Sequence, residues 1–353
     1  MKDSFLNRFR INNHSSVENL LIFGFCLAVI FGAAFAMFDT YNYDMVANPD
    51  IKSYLGLANF DFDQSLIRRY RVIVPFLASG IHYLLGPVFS ALKPWSFPGP
   101  DFAMCMSFLV VNTVIMAFFG LFVYKLCKAY GVSTLGALTG LLAVLTCRWT
   151  AYIAGLPLVD SLYLLVIAMV LLGIKTNNKL LLIVGILLGP WAKESFVFVV
   201  PLILIFSGMN RWKLLGLILF SGLLVFSFRY YLDHRYQLTV SDSLSKDVEH
   251  FTNIGISLRR LFSFHGVYEL FSVTGFWGAL FLLLFKKSFR QKLGRYVNTF
   301  FILFLVIVLL HALLSTELAR MFYLAAPVLA VWLAVITDEL LLAVKNFYFR
   351  LGN

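Results

Sequence analysis

Between Asp39 and Pro75 an otherwise apolar chain turns polar. Five carboxylates, Asp39, Asp44, Asp50, Asp61 and Asp63, precede a basic tract, Arg68-Arg69-Tyr70-Arg71. Farther along, charged groups interrupt apolar sequence at Asp160, at Lys193-Glu194 and at Glu317 with Arg320. A positioned carboxylate can take a proton from a hydroxyl. Arg or Lys can stabilise charge gathering on an anionic group, Arg with a two-pronged grip. Plainer duties compete at each position. Asp50 follows Pro49 and heads an amphipathic run, which suits a helix N-cap. Lys193-Glu194 suits a solvated turn. Arg320 suits snorkelling or a pair with Glu317, and Arg68 to Arg71 suit lipid head groups. Asp160 is the hardest to dismiss, because an ionisable side chain within a membrane helix is costly and faces a cavity or a partner.

The elements that must position these groups are membrane helices. The chain has 353 residues, 60% of them hydrophobic and 13% charged, with a mean hydropathy of +0.84. Continuous apolar runs recur at the length an α-helix needs to cross a bilayer, and a β-barrel would show alternation instead. The reading is an all-α integral membrane protein, a single membrane domain over 1–353. It has about ten transmembrane helices, at roughly 20–38, 103–124, 133–147, 154–174, 179–190, 196–208, 214–231, 268–285, 297–314 and 322–343. The first is an uncleaved helix, since no small-residue cleavage site follows it. The stretch Val72–Val88 is kept out of the count. Its Pro75, Gly80, His82 and Gly86 suit an interfacial helix, and counting it would send the N-terminal basic cluster outside. With both termini cytoplasmic, sixteen basic residues and four acids fall inside, and thirteen basic and fourteen acidic residues fall outside. The net charge of +11 therefore sorts by side, which is a topology signal and not a nucleic-acid footprint. The first extracytoplasmic loop becomes 39–102, with interfacial helices, and a later one 233–267.

Other chemistry finds little support. Cys26, Cys105, Cys127 and Cys147 lie in or at the ends of apolar spans without metal-ligand spacing, so they read as packers. Asp61-Phe62-Asp63 has a spacing that can ligate a divalent cation, but a cation needs further oxygen ligands that the sequence does not place. No metal and no cofactor is assigned. The six histidines form no ligand pair, and His311 reads as a hydrogen-bonded membrane histidine. Trp95, Trp149, Trp191, Trp212 and Trp277 fall near helix ends as interfacial anchors. The first three could also stack on a sugar ring.

Several segments carry a resemblance. An acid opening a short helix as D-x-x-x-Y-x-x-x-A, here Asp50 to Ala58 with Tyr54, just after the first membrane helix, looks like the first external loop of the GT-C glycosyltransferases. Arg69-Tyr70-Arg71-Val72-Ile73-Val74-Pro75 resembles the basic-aromatic-proline stretch that follows in several members. Asp160-Ser161-Leu162 resembles their acid near the outer end of a membrane helix. Pro190-Trp191-Ala192-Lys193-Glu194-Ser195 with Pro201 is similar to a turn of bacterial members, and Arg320 to Pro327 to their late R-x-x-x-L-x-x-P segment. The order covers most of the chain, although this chain is short for the superfamily.

The resemblance implies a polytopic enzyme of the bacterial inner membrane. It would move a sugar, with inversion, from a polyprenyl-phosphate donor to a lipid-linked glycan, lipid or protein acceptor at the extracytoplasmic face. Asp50 is the expected general base, with Asp39 second and Asp44 also open. Arg71, Lys193 and Arg320 are expected at the phosphate, and Tyr54, Arg68, Arg69, Asp160 and Glu194 complete the expected substrate site. Acceptor binding falls to the loop at 233–267, and membrane lipids are the surroundings. A lipid-glycan transporter, or a non-catalytic subunit of a glycan-assembly complex, are the competing readings.

Overall fold

A computed structural model describes residues 16–238, apart from 42, 44–47, 95–96 and 98, and residues 253–351, apart from 316. Among them all regular structure is helical. The helices used below are α1 (Ser16–Thr40), α2 (Pro49–Ala58), α3 (Ile73–Ala91), α4 (Phe102–Ala129), α5 (Thr134–Leu145), α6 (Arg148–Gly155), α7 (Asp160–Thr176), α8 (Lys179–Ala192), α9 (Arg211–Tyr236), α10 (Phe264–Thr274), α11 (Thr299–Leu314), α12 (Leu318–Phe322) and α13 (Ala326–Leu351). A single helical turn at Leu66–Arg69 and a 3₁₀ segment at Glu194–Val199 lie between them.

Six helical stretches among the described residues are long and apolar enough to cross a membrane, or up to eight if each of two bent pairs is one span. Ten spans are not found, for reasons of length and direction. The segments read as 179–190 and 196–208 are helices Lys179–Ala192 and Glu194–Phe206. At 1.5 Å per residue each falls short of a hydrocarbon core of about 30 Å. The α5–α6 pair bends by 58°, and the pair Lys287–Gly294 with α11 bends by 92°. A hydropathy window registers apolarity and not direction, so it counts a bent path as a straight one.

Helix α3, kept out of the sequence count, qualifies by length and composition. Its two ends are tied to the same end of α1. Its start is held to α2, where Tyr54 accepts from Arg71, two residues before α3, at 3.2 Å, and the α2 cap Asn48 donates from its side-chain amide to the Tyr41 hydroxyl, 3.1 Å, just past α1. After α3, Phe97 stacks on Phe38 with centroids 5.0 Å apart, and Phe38 also meets Phe102. The six residues from Ala91 to Phe97 reach at most about 20 Å. That is too short for α3 to deliver its end to the far end of α1, a helix of 25 residues.

Helix α4 is the central post, buried along most of its length and packed against α1, α3 and α7. Without a hydrophobic drive between helices in lipid, close approach depends on small residues. A Cβ at Gly140 of α5 would collide with the Ala330 carbonyl oxygen of α13, and one at Gly155 would lie 2.6 Å from the Ala34 carbonyl oxygen of α1. Buried Asn112 of α4 fixes the turn before α7. Its amide donates to the Leu156 and Leu158 carbonyls, 3.0 and 3.1 Å, and its oxygen accepts from Ser161, 2.5 Å. All four cysteines are buried and free.

The packing predicts a position-specific intolerance. Gly140→Leu should lower the melting temperature of the detergent-purified protein well below that of Gly24→Leu or Gly216→Leu, where an added Cβ meets no neighbour within 4 Å. Equal losses at the three positions would show that the α5–α13 approach does not limit stability.

Candidate functional site

The D-x-x-x-Y spacing puts Asp50 and Tyr54 on one face of α2, since side chains four apart share a helix face. Asn48 is the cap, its Oδ1 accepting from Ile51 N at 3.4 Å, and Pro49 follows in the first turn. This displaces the reading of Asp50 as the N-cap. The Asp50 carboxylate is free of backbone duty and points into the protein, where Arg68 pairs with one oxygen and Arg320 donates to the other at 3.0 Å.

Arg320, on α12, is the hub. It also pairs with Asp160 and with Glu317, the latter at 2.5 Å, and its side chain is only 5% exposed. Asp160 opens α7, where the helix dipole favours a carboxylate, and the Asn112 contacts hold that turn. Lys193 reaches Asp160 from the end of α8 at 3.5 Å. Four distant segments thus meet through three buried charges, Asp160, Lys193 and Arg320. Stranding a buried charge costs several kcal/mol, so each holds the others in place.

A second tier adjoins the first. Arg71 donates through Nε and Nη2 to Glu194 Oε2, 3.1 and 2.9 Å, and through Nη1 to the Tyr54 hydroxyl, 3.2 Å. Arg229 of α9 donates to the other Glu194 oxygen at 2.9 Å and lies over the Tyr70 ring, 4.6 Å from its centroid. The Tyr70 hydroxyl donates to Asp233, 2.7 Å, and Arg69 pairs with the same carboxylate at 3.2 Å. Together six cations, Arg68, Arg69, Arg71, Lys193, Arg229 and Arg320, meet five carboxylates, Asp50, Asp160, Glu194, Asp233 and Glu317. Such a set favours an anionic ligand.

The titration of two groups bears on chemistry. Burial pushes the Asp50 carboxyl up, but Arg320 and Arg68 outweigh it and hold the group below its ordinary value. Asp50 is therefore an ionised acceptor and a weak base, able to take a proton once the donating hydroxyl has itself become acidic in a transition state. Burial pushes Tyr54 up to about 12 against the opposing pull of Arg71, so its phenol stays neutral.

The network brings together Asp50, Tyr54, Arg68, Arg69, Arg71, Asp160, Lys193, Glu194 and Arg320 from the sequence reading. It does not take in Asp39, which lies exposed near the end of α1. Asp44 and Trp95 lie outside the described residues, as does 239–252 of the 233–267 loop. Lys193 is largely buried and Glu194 holds two arginines, so the pair is not a solvated turn. Arg229 and Asp233 were not found by sequence reasoning. Their only signal is a charge pair four residues apart near the end of an otherwise apolar helix.

Elsewhere the candidates have ordinary work. Asp61 closes its own turn, accepting from Asp63 N at 3.0 Å and from the Gln64 side chain at 2.8 Å. No group of three or more His, Cys, Asp or Glu placed to hold a metal occurs among the described residues. His311 shares a hydrogen bond with the Tyr163 hydroxyl, 2.9 Å. Trp149 donates to Ser272, and Trp191 packs on Phe228. A cleft of about 250 Å³ lies on the opposite face of α2, beside Lys52, Asn59 and Asp101.

Because the folded-state pKa of Asp50 is depressed, its stabilising contribution is complete above the unfolded value of about 3.9 and is lost as pH falls through the folded value. The melting temperature should therefore drop as pH is lowered from about 5, and Asp50→Asn should flatten that dependence. Parallel curves would remove Asp50 from the pH response. No family model, curated protein or solved structure matches this chain.

Proposed function

We propose that the protein is a membrane glycosyltransferase of GT-C type. It takes a sugar from a polyprenyl-phosphate donor and places it, with inversion, on a lipid-linked glycan, lipid or protein acceptor. The observation that carries this reading is the ionic network: a carboxylate suited to accept a proton stands beside a surplus of arginine and lysine at one end of an apolar bundle. Sugar transfer from a lipid phosphate needs both parts, one for the acceptor hydroxyl and one for the departing phosphate. Asp50 takes the acceptor proton as the glycosidic bond breaks. Arg320, already committed to three carboxylates, positions Asp50 and Asp160, and the phosphate falls to Arg71 with Lys193. Asp39, outside the network, is left without a part in the proton transfer.

Sidedness belongs to the same proposal. The charge distribution favours an extracytoplasmic position for the network, here on a bacterial inner membrane, with α3 tilted along that face without crossing. A single cysteine replacing Lys93 should react with an impermeant reagent added from outside. Reaction from the cytoplasm alone would reverse the topology.

The enzymatic reading is tested by transfer from radiolabelled polyprenyl-phosphate sugars to membrane acceptors. Asp50→Asn should lower transfer by about 10²–10⁴-fold while the protein still folds, the usual worth of a general base. Transfer undiminished in the variant would remove Asp50 from the reaction. No transfer by the unaltered protein from any donor would count against the enzyme.

A further inference from the structure

Glu194 is held as a ligand would be. Two guanidinium groups from distant segments converge on one carboxylate, Arg71 on Oε2 and Arg229 on Oε1, all at 2.9–3.1 Å. Each arginine is steadied from behind by a phenol: Arg71 by the Tyr54 hydroxyl and Arg229 by the Tyr70 ring. Tyr70 is in turn fixed by Asp233. The two cations share a single negative charge, and the Arg229 Nε is buried with no hydrogen-bond partner.

A phosphate presents the same kind of forked oxygen pair as a carboxylate, with more charge, and arginine grips it in the same bidentate manner. Glu194 and Arg229 are also more open than Arg71, with side chains 34% and 30% exposed. Beside Arg229 on α9, Phe226 and Tyr230 are exposed, offering apolar surface to a lipid tail. Arg320, by contrast, faces three carboxylates and has no charge to spare.

We propose that Arg71 and Arg229 form a cradle for one phosphate group, and that Glu194 is an internal occupant which the phosphate displaces. The proposal rests on the glycosyltransferase reading for the phosphate's role in a reaction, and on geometry alone for its binding. It adds Arg229 to the site and makes Glu194 a competitor of the ligand and not one of its holders. The displaced carboxylate, left without either guanidinium, turns toward water.

The test uses the full chain in detergent and titrates it with farnesyl phosphate, with farnesol and inorganic phosphate as parallel arms. Farnesyl phosphate should bind and farnesol should not. Arg229→Gln and Arg71→Gln should each weaken binding by about tenfold or more, the loss expected for one charge-assisted contact. Glu194→Gln should bind at least as tightly as the unaltered protein. Stronger binding of farnesyl phosphate than of inorganic phosphate assigns the cradle to a lipid phosphate, and equal binding assigns it to the free ion. Failure of both phosphates to bind, unchanged affinity in Arg229→Gln, or a tenfold loss in Glu194→Gln would overturn the cradle. Should the variants not fold, phenylglyoxal modification of Arg229 in the unaltered protein serves instead. Farnesyl phosphate should slow it, and no protection would overturn the proposal. Sugar transfer that persists alongside a failed cradle leaves the enzyme standing. Phosphate binding as expected without any transfer leaves the cradle standing and removes the enzyme.

Discussion

Everything at the charged end of this bundle depends on one buried guanidinium. Arg320 is almost wholly removed from solvent, and a charge in that position is tolerated only when its partners are close and well aimed. Those partners come from three directions: Asp50 from α2, Asp160 from the start of α7, and Glu317 from its own neighbourhood. Meeting them obliges α2 to dip into the protein, the 156–160 turn to hold its shape through Asn112, and α12 to stay near the end of α11. The electrostatic demand of one side chain thus sets the placement of segments 270 residues apart in sequence.

Around that hub the ionic groups are graded. The inner pair, Arg320 and Asp160, is enclosed and acts as scaffold. The outer set, Arg71, Glu194 and Arg229, is partly open, and one carboxylate there serves two arginines. Charge that is fully compensated fixes geometry. Charge that is under-compensated and reachable binds ligands. The division gives Asp50 an intermediate position: it is bound to the inner pair through Arg320 but is one-fifth exposed, which is where a group that must meet a substrate hydroxyl belongs.

Much of this was legible in the residues and some was not. The helical class followed from unbroken apolar runs, and the D-x-x-x-Y spacing alone places Asp50 and Tyr54 on one face. Asp160 stood out because an acid between apolar runs requires a partner, and Arg320 answers it. Six to eight stretches among the described residues qualify as spans against the ten expected, since Lys179–Ala192 and Glu194–Phe206 are apolar yet short, and since Leu145 to Arg148 turns the chain where hydropathy records no change. Arg229 and Asp233 escaped notice for a different reason. They read as the polar fringe of a membrane helix, and their partners Tyr70, Arg69 and Glu194 lie up to 164 residues away. Asp39, attractive because it closes the first helix, lies outside the network because α1 ends before the chain dips inward.

Helix α9 carries a consequence of its own. It spans 26 residues, about 39 Å, longer than a hydrocarbon core of about 30 Å. Few of its side chains are buried: Leu214, Ser221, Val225 and Leu232. Its uncharged stretch, Leu214 to Phe228, covers only about 22 Å, so the helix runs on past its apolar part. Arg229 and Asp233 ride in its last two turns. The guanidinium that faces Glu194 thus sits where α9 leaves its apolar stretch, and the position of that boundary along the helix becomes one of the dimensions of the site.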